Sequence, residues 1–257
     1  MSPATKPTIL LVHGAFHGSW CWKYLTPTLE ALGYPTETLD MPSASGIPGS
    51  TQFDDAAHVR SIVDSLLRNG KRVVILAHSY GGLIASAALA GLSKNNNDTL
   101  IGLIDLSAFI LPGGIDHGAL IRSLGGSPYM DWDTPAEGLV VTKDPKNMFY
   151  APDVPDDRAE WAIAQLHPQS MTATNGIVPP QAWEDETHTG QLGYIRCTAD
   201  LAVKIEGQDK MIEGAGGKER WVTRTLEGAG HSPFLSRPNQ LAAVVDEIVE
   251  EFEAKLR

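Results

Sequence analysis

The run Arg72-Val73-Val74-Ile75-Leu76 leads without a spacer into Ala77-His78-Ser79-Tyr80-Gly81-Gly82, and helical patterning begins at the glycines. A strand that is apolar along its whole length has to be covered on both faces, which βα units achieve and open hairpins do not. Thr8-Ile9-Leu10-Leu11-Val12 has the same character and is closed by Gly14, and Leu100 to Leu106 is a further strand. Thr36 to Leu39, Tyr194 to Cys197 and Arg220 to Leu226 are shorter or more mixed strand candidates. Between them lie helical patterns: Trp22 to Leu32, ended by Gly33-Tyr34-Pro35, and Ala56 to Leu67, stopped by Asn69-Gly70. The last, Gln240 to Leu256, aligns Leu241, Val244, Val245, Ile248, Val249 and Phe252 on one face. Strands alternating with helices predict an α/β chain, with a mainly parallel sheet and helices on both faces.

The rhythm breaks between Leu111 and Gln191, a stretch rich in Gly, Pro, Asp and aromatic residues. It has helical hints near Asp116 to Leu124 and Asp157 to Leu166, and one strand-like run at Leu139-Val140-Val141. A break this long inside a regular α/β chain predicts an inserted cap, residues 111–191, on a core formed by 1–110 and 192–257. The 257 residues suffice to bury about three-quarters of the extended-chain surface, so folding requires no metal or disulfide staple.

Charge and composition narrow the function. Twenty Lys and Arg against 31 Asp and Glu give a net charge of −11, with no basic stripe to displace counterions from nucleic acid. Cys21 and Cys197 are too few for a disulfide framework or a zinc site. The apolar stretch near the N-terminus, Ile9 to Val12, is too short for a signal-peptide core. The greasiest segment, Val73 to Leu92, is interrupted by His78, Ser79, Tyr80, Gly81 and Gly82, so no membrane partner is expected. The expected location is cytoplasmic. No metal-ligand spacing and no dinucleotide fingerprint appears, so no cofactor is expected.

Ser79 lies between a buried strand and a helix, with Ala77 and Gly81 two residues to either side. Small residues at those positions permit a tight turn that lifts the serine hydroxyl above the sheet edge, as in a nucleophile elbow. A serine hydroxyl needs a base, and in elbow-type enzymes the chain order is Ser, then Asp or Glu, then His. His231, in Gly228-Ala229-Gly230-His231-Ser232-Pro233, falls between the last strand candidate and the last helix, where a sheet edge presents its loops. Asp200, just after the Tyr194 to Cys197 strand, is the favoured acid to orient it. Glu206 and Asp209 are rivals in a helix-like stretch; Asp105 sits inside an apolar strand, and Asp116, which follows that strand, is the candidate for a displaced acid. Two backbone donors are needed for the oxyanion: the Tyr80 amide and, from His13-Gly14-Ala15-Phe16-His17-Gly18, the Ala15 amide.

These residues resemble the α/β-hydrolase fold, and more narrowly its plant methylesterase and hydroxynitrile lyase branch. The resemblance is carried by His13 to Trp22, Ala77 to Gly82, Tyr194 to Asp200 and Gly230-His231, and only loosely in the cap by Met130-Asp131-Trp132 and Asn147 to Tyr150. It implies a six-stranded, mainly parallel sheet, and a cap residue, Trp132, overlooking the nucleophile. Lyases of this type carry threonine at the position of Gly14 and lysine at that of Ser232; their absence favours esterase chemistry.

The pocket is expected to be apolar and aromatic, drawing on Gly14, Phe16, Phe109, Leu111, Trp132, Met148 and Phe234. The expected function is a serine hydrolase acting on an ester or lactone of a small apolar compound through an acyl-enzyme. The alternatives are carbon–carbon bond hydrolysis or lyase chemistry on the same triad, or a non-catalytic small-molecule receptor. An exposed cap could also pair two copies into a homodimer.

Overall fold

The computed structural model of the chain describes residues 6–92, 99–123, 127, 130–131 and 137–256. Nine strands are described: β1 (Thr8–Val12), β2 (Thr36–Thr38), β3 (Val73–His78), β4 (Leu100–Leu106), β5 (Met130–Asp131), β6 (Leu139–Thr142), β7 (Gln169–Ser170), β8 (Leu192–Cys197) and β9 (Trp221–Leu226). The α-helices are α1 (Thr26–Ala31), α2 (Gln52–Arg68), α3 (Tyr80–Leu89), α4 (His117–Ser123), α5 (Asp156–Ile163), α6 (Met171–Asn175), α7 (Ile205–Gly214), α8 (Gly217–Arg220), α9 (Pro233–Ser236) and α10 (Pro238–Lys255).

Six strands form one sheet in the order β2-β1-β3-β4-β8-β9, and every pairing in it is parallel. Alternate residues of the inner strands serve opposite cores. Ile9 and Leu11 of β1 join Leu25 and Leu29 beside α1 and Leu241, Val245, Ile248 and Phe252 of α10. Leu10 and Val12 join Val59 and Val63 of α2, Ile84 and Ala88 of α3, and Ile212 of α7. That division explains why β1, β3 and β4 are buried along their length: neither face meets water. The chain runs outward from β1 in both directions, so β1 and β3 flank the switch point, where the loops at their carboxyl ends leave a crevice.

Several expected boundaries move. Trp22 to Leu32 is not one helix. A 3-10 turn over Ser19–Tyr24 gives way to α1, because Pro27 in the first turn of α1 has no N–H to continue the preceding one. The long helix expected from Ala56 begins four residues earlier, at Gln52, under a capping box in which Thr51 and Asp54 bind each other's backbone N–H. The Leu139-Val140-Val141 run is the central strand, β6, of an antiparallel three-stranded sheet. Its partners β5 and β7 are two residues each, too short to leave a periodic signal. Among the described residues no helix is long and apolar enough to cross a membrane.

Candidate active site

Ser79 follows β3 and precedes the first turn of α3, with φ 54° and ψ −123°. That left-handed conformation is costly for a residue with a Cβ and is held by its surroundings. The turn leaves no space beside it: a Cβ on Gly81 would lie 2.5 Å from the His13 carbonyl oxygen, and one on Gly14 would lie 3.0 Å from the Ser79 Cβ. The Ser79 N–H donates to the Leu106 carbonyl (3.2 Å), and the Phe109 N–H donates to the Ser79 carbonyl (3.2 Å). The side chain is 8% exposed and borders a cavity lined also by Ala15, His17, His78, Tyr80, Phe109, His117, Met130, Phe149, Thr174 and His231.

His231 comes from the loop between β9 and α9, and its Nδ1–H donates to Asp200 Oδ2 at 2.6 Å. Asp200, in the loop after β8, is satisfied on both oxygens. Oδ1 accepts from the Ala202 (2.7 Å) and Val203 (2.9 Å) amides, and Oδ2 also accepts from the Ser107 hydroxyl. With Nδ1 committed, Nε2 is the His231 atom left for the cavity. Neither Ser79 Oγ nor His231 Nε2 has a hydrogen-bond partner among the described residues. The loop carrying His231 is clamped from the 111–191 segment: Asp153 accepts from the Gly230 N–H at 3.1 Å and from Arg237 Nε at 2.8 Å. Arg237 in turn binds the Glu227 and Gly228 carbonyls.

The rival carboxylates lie elsewhere. Asp209 pairs with Arg196 at 2.8 Å, Asp116 caps the Ala119 amide at 2.7 Å, and Glu206 sits in the first turn of α7. The carboxyl of Asp105, inside β4, makes no hydrogen bond among the described residues, and burial pushes it well above the usual carboxylate range.

The loop after β1 is pinned by its own histidines. His13 Nδ1–H donates to the Gly14 carbonyl (2.8 Å) while its Nε2 accepts from the Met41 N–H (3.0 Å). His17 Nδ1–H donates to the Ala15 carbonyl (2.8 Å), and its Nε2 accepts from the Tyr150 hydroxyl (3.2 Å). Burial keeps both rings neutral, pushing His13 down to about 4 and His17 down to about 3. Beyond Ala15, Phe16 turns at φ 64° and donates its N–H to Gln169 Oε1 at 3.0 Å. The Ala15 N–H makes no bond among the described residues, and that of Tyr80 opens α3, where no intrahelical acceptor exists. A buried chain joins these two sites: Gln169 binds Ser43, Ser43 binds Asp55, and the Tyr80 hydroxyl donates to Asp55 Oδ2 at 2.7 Å. Gln169, Ser43 and Asp55 give no motif in the sequence, because the chain is closed by the Gln169–Ser43 contact, which joins positions 126 residues apart.

The pocket differs from the one expected. Of the proposed apolar lining, Phe109 borders the cavity. Phe16 and Phe234 are fully buried behind it: Phe16 packs on Phe149, and Phe234 lies under Trp22 and His78. Met148 packs into the core, Leu111 is off the cavity wall, and Gly14 backs the elbow. Trp132 lies outside the described residues. The wall also includes His17, His78, His117 and Thr174, polar residues that the expected lining did not contain. Among the described residues no group of three or more His, Cys, Asp or Glu is placed to hold a metal ion, and Cys21 and Cys197 are free and buried.

A family model described as "Alpha/beta hydrolase family" matches residues 9–244. The chain belongs to that family. Among curated members it is 29% identical over 254 residues to "Probable hydrolase R7" of a Phoma species, covering 95% of this chain and 98% of that one. It is 26% identical over 266 residues to "Methylesterase 1" of Arabidopsis thaliana, covering 96% and 97%. A solved methylesterase structure from Arabidopsis superposes with a TM-score of 0.74 at 22% identity, over 95% of this chain and 99% of the other. The α/β-hydrolase sheet is thus shared across nearly the whole length.

Proposed function

We propose that this α/β-hydrolase is a serine hydrolase that cleaves a carboxylic ester or lactone of a small compound through an acyl-enzyme. The observation that carries the reading is one juxtaposition. A serine held at φ 54° shares a cavity with a histidine whose far nitrogen is bound 2.6 Å from a buried carboxylate. Kinship with proteins named hydrolase and methylesterase supports ester hydrolysis as the reaction class.

In this reading Ser79 Oγ attacks the ester carbonyl carbon as His231 Nε2 takes the hydroxyl proton. Asp200 holds the ring in the tautomer with the proton on Nδ1 and faces the imidazolium that forms. The carbonyl oxygen, gaining charge, meets the Ala15 and Tyr80 amides at the positive end of α3. His231 returns the proton to the departing alcohol oxygen. A water molecule, deprotonated by the same Nε2, then adds to the acyl carbon, releasing the carboxylic acid and the Ser79 hydroxyl. No step calls on a cofactor. The 111–191 segment acts as the cap, contributing His117, Met130, Phe149 and Thr174 to the wall.

The test is product analysis on a panel of methyl and p-nitrophenyl esters. One acid and one alcohol should appear per turnover, and Ser79→Ala should lower kcat/KM by roughly 10⁴- to 10⁶-fold. Turnover of the panel by Ser79→Ala at an undiminished rate would overturn the proposal.

A further inference from the structure

One polar group on the cavity wall is unused by the reaction proposed above. His117, at the start of α4, is 3% exposed and lines the cavity with Phe109, Met130 and Thr174. Its Nδ1 lies 3.2 Å from Gln52 Nε2, which also sits 2.8 Å from the Ala173 carbonyl oxygen. A carbonyl only accepts, so that Gln52 atom is the amide nitrogen, and an amide nitrogen only donates. His117 Nδ1 is therefore an acceptor, and the neutral ring carries its proton on Nε2. Burial supports the neutral form, pushing His117 down to about 4. Nε2–H has no acceptor among the described residues.

The neighbouring polar side chains are otherwise engaged. His17 uses both nitrogens within the protein, and His78 Nε2–H donates to the His231 carbonyl at 2.9 Å, leaving only an acceptor. The Thr174 hydroxyl donates to the Met171 carbonyl at 3.0 Å.

We infer that His117 is a specificity-determining residue whose Nε2–H donates to a second oxygen of the substrate, remote from the scissile carbonyl. The substrates are then esters bearing an ether, keto or hydroxyl oxygen, rather than plain alkanoates. This rests on the ester-hydrolase reading, and the experiment separates the two.

Isosteric p-nitrophenyl ester pairs are compared: methoxyacetate with butanoate, 3-methoxypropanoate with pentanoate, and 4-methoxybutanoate with hexanoate. Dividing each pair's kcat/KM ratio by that of His117→Leu removes the intrinsic reactivity of the alkoxy esters. Wild type should retain a three- to tenfold preference for oxygen in at least one pair, the worth of one neutral hydrogen bond. His117→Gln, which places an amide N–H near Nε2, should keep part of it. In parallel, binding of N-methyl-3-methoxypropanamide and N-methylpentanamide is measured calorimetrically, with the oxygen member favoured by wild type and not by His117→Leu. Ester turnover with the same pair ratios in wild type and His117→Leu would overturn this inference and leave the hydrolase reading standing. Amide discrimination without ester turnover would do the reverse. Should His117→Leu not fold, a wild type that shows no oxygen preference in amide binding overturns the inference.

Discussion

His231, Asp200 and Ser107 make a chain of contacts whose last member is easily overlooked. The Ser107 hydroxyl donates to the same Asp200 oxygen that receives His231 Nδ1–H, and Ser107 is itself buried at φ 41° just past β4. Removing it leaves Asp200 with its two backbone donors but frees the carboxylate to rotate about its Oδ1 anchor. Ser107→Ala is expected to lower kcat about tenfold with KM little changed, matching one charge-assisted hydrogen bond of about 1.5 kcal/mol. Equal loss in kcat and gain in KM on steady-state kinetics would mean that Ser107 shapes the pocket instead. The residues of the elbow were legible because their spacing is dictated by a steric rule: small residues flank the serine two positions to either side, and at Gly81 nothing larger fits. Ser107 was not, since a serine after an apolar strand has many ordinary explanations.

At the scale of elements, β7 and α3 are coupled through Gln169, Ser43, Asp55 and Tyr80. Gln169 also accepts the Phe16 N–H, so one side chain of the 111–191 segment sets the turn beside Ala15. Gln169→Leu should therefore weaken binding of an alkyl boronic acid, a mimic of the tetrahedral adduct, by about the same factor as it lowers kcat/KM, with KM nearly constant. Unchanged boronate affinity would detach Gln169 from the proposed oxyanion site.

Strand β4 carries the opposite case. Asp105 is buried with Oδ1 unpaired, and a Cβ on Gly82 would lie 2.9 Å from that oxygen. Asp105→Leu is near-isosteric and removes the desolvated carboxyl, so it should raise stability by roughly 1–3 kcal/mol in denaturant titration. A loss of stability would point to a partner for the carboxyl. The strands and long helices could be read from periodicity, because a two-sided core writes itself into every residue of a strand. The two-residue strands β5 and β7 and the broken α1 could not, since tertiary contacts and Pro27 decide them.

For the whole molecule, buried ionisable groups set the pH response. His13 and His117 are pushed down to about 4, His17 to about 3, and His78 well below its ordinary value, all by burial. Near pH 5 these four are neutral when folded and protonated when unfolded, so unfolding takes up about four protons. Asp105, pushed up by burial, acts in the reverse sense and releases about one, and Asp55 is shifted in the same direction. The histidine contribution to stability is fully present above about pH 6.5 and is lost as pH drops toward 4, and it outweighs the opposite contribution of the two carboxyls near pH 5. Calorimetric unfolding at pH 5 in buffers of different ionisation enthalpy should register a net uptake of about two to three protons from these groups. Net release would mean that the histidines are protonated in the folded protein. The global architecture was legible because the βα order and the separation of Ser79, Asp200 and His231 along the chain are features of sequence. The pocket wall was not, because it is made by contacts between distant segments such as Gln52 and His117.

The central claim is that Ser79 forms the covalent bond. Reaction with diethyl p-nitrophenyl phosphate, followed by peptide mass mapping and residual ester hydrolysis, tests it most directly. The account predicts one p-nitrophenolate released per chain, the diethylphosphoryl group on Ser79, and activity lost in proportion to its occupancy. Full modification of Ser79 with hydrolysis intact, or activity lost through labelling at any other residue, would contradict it.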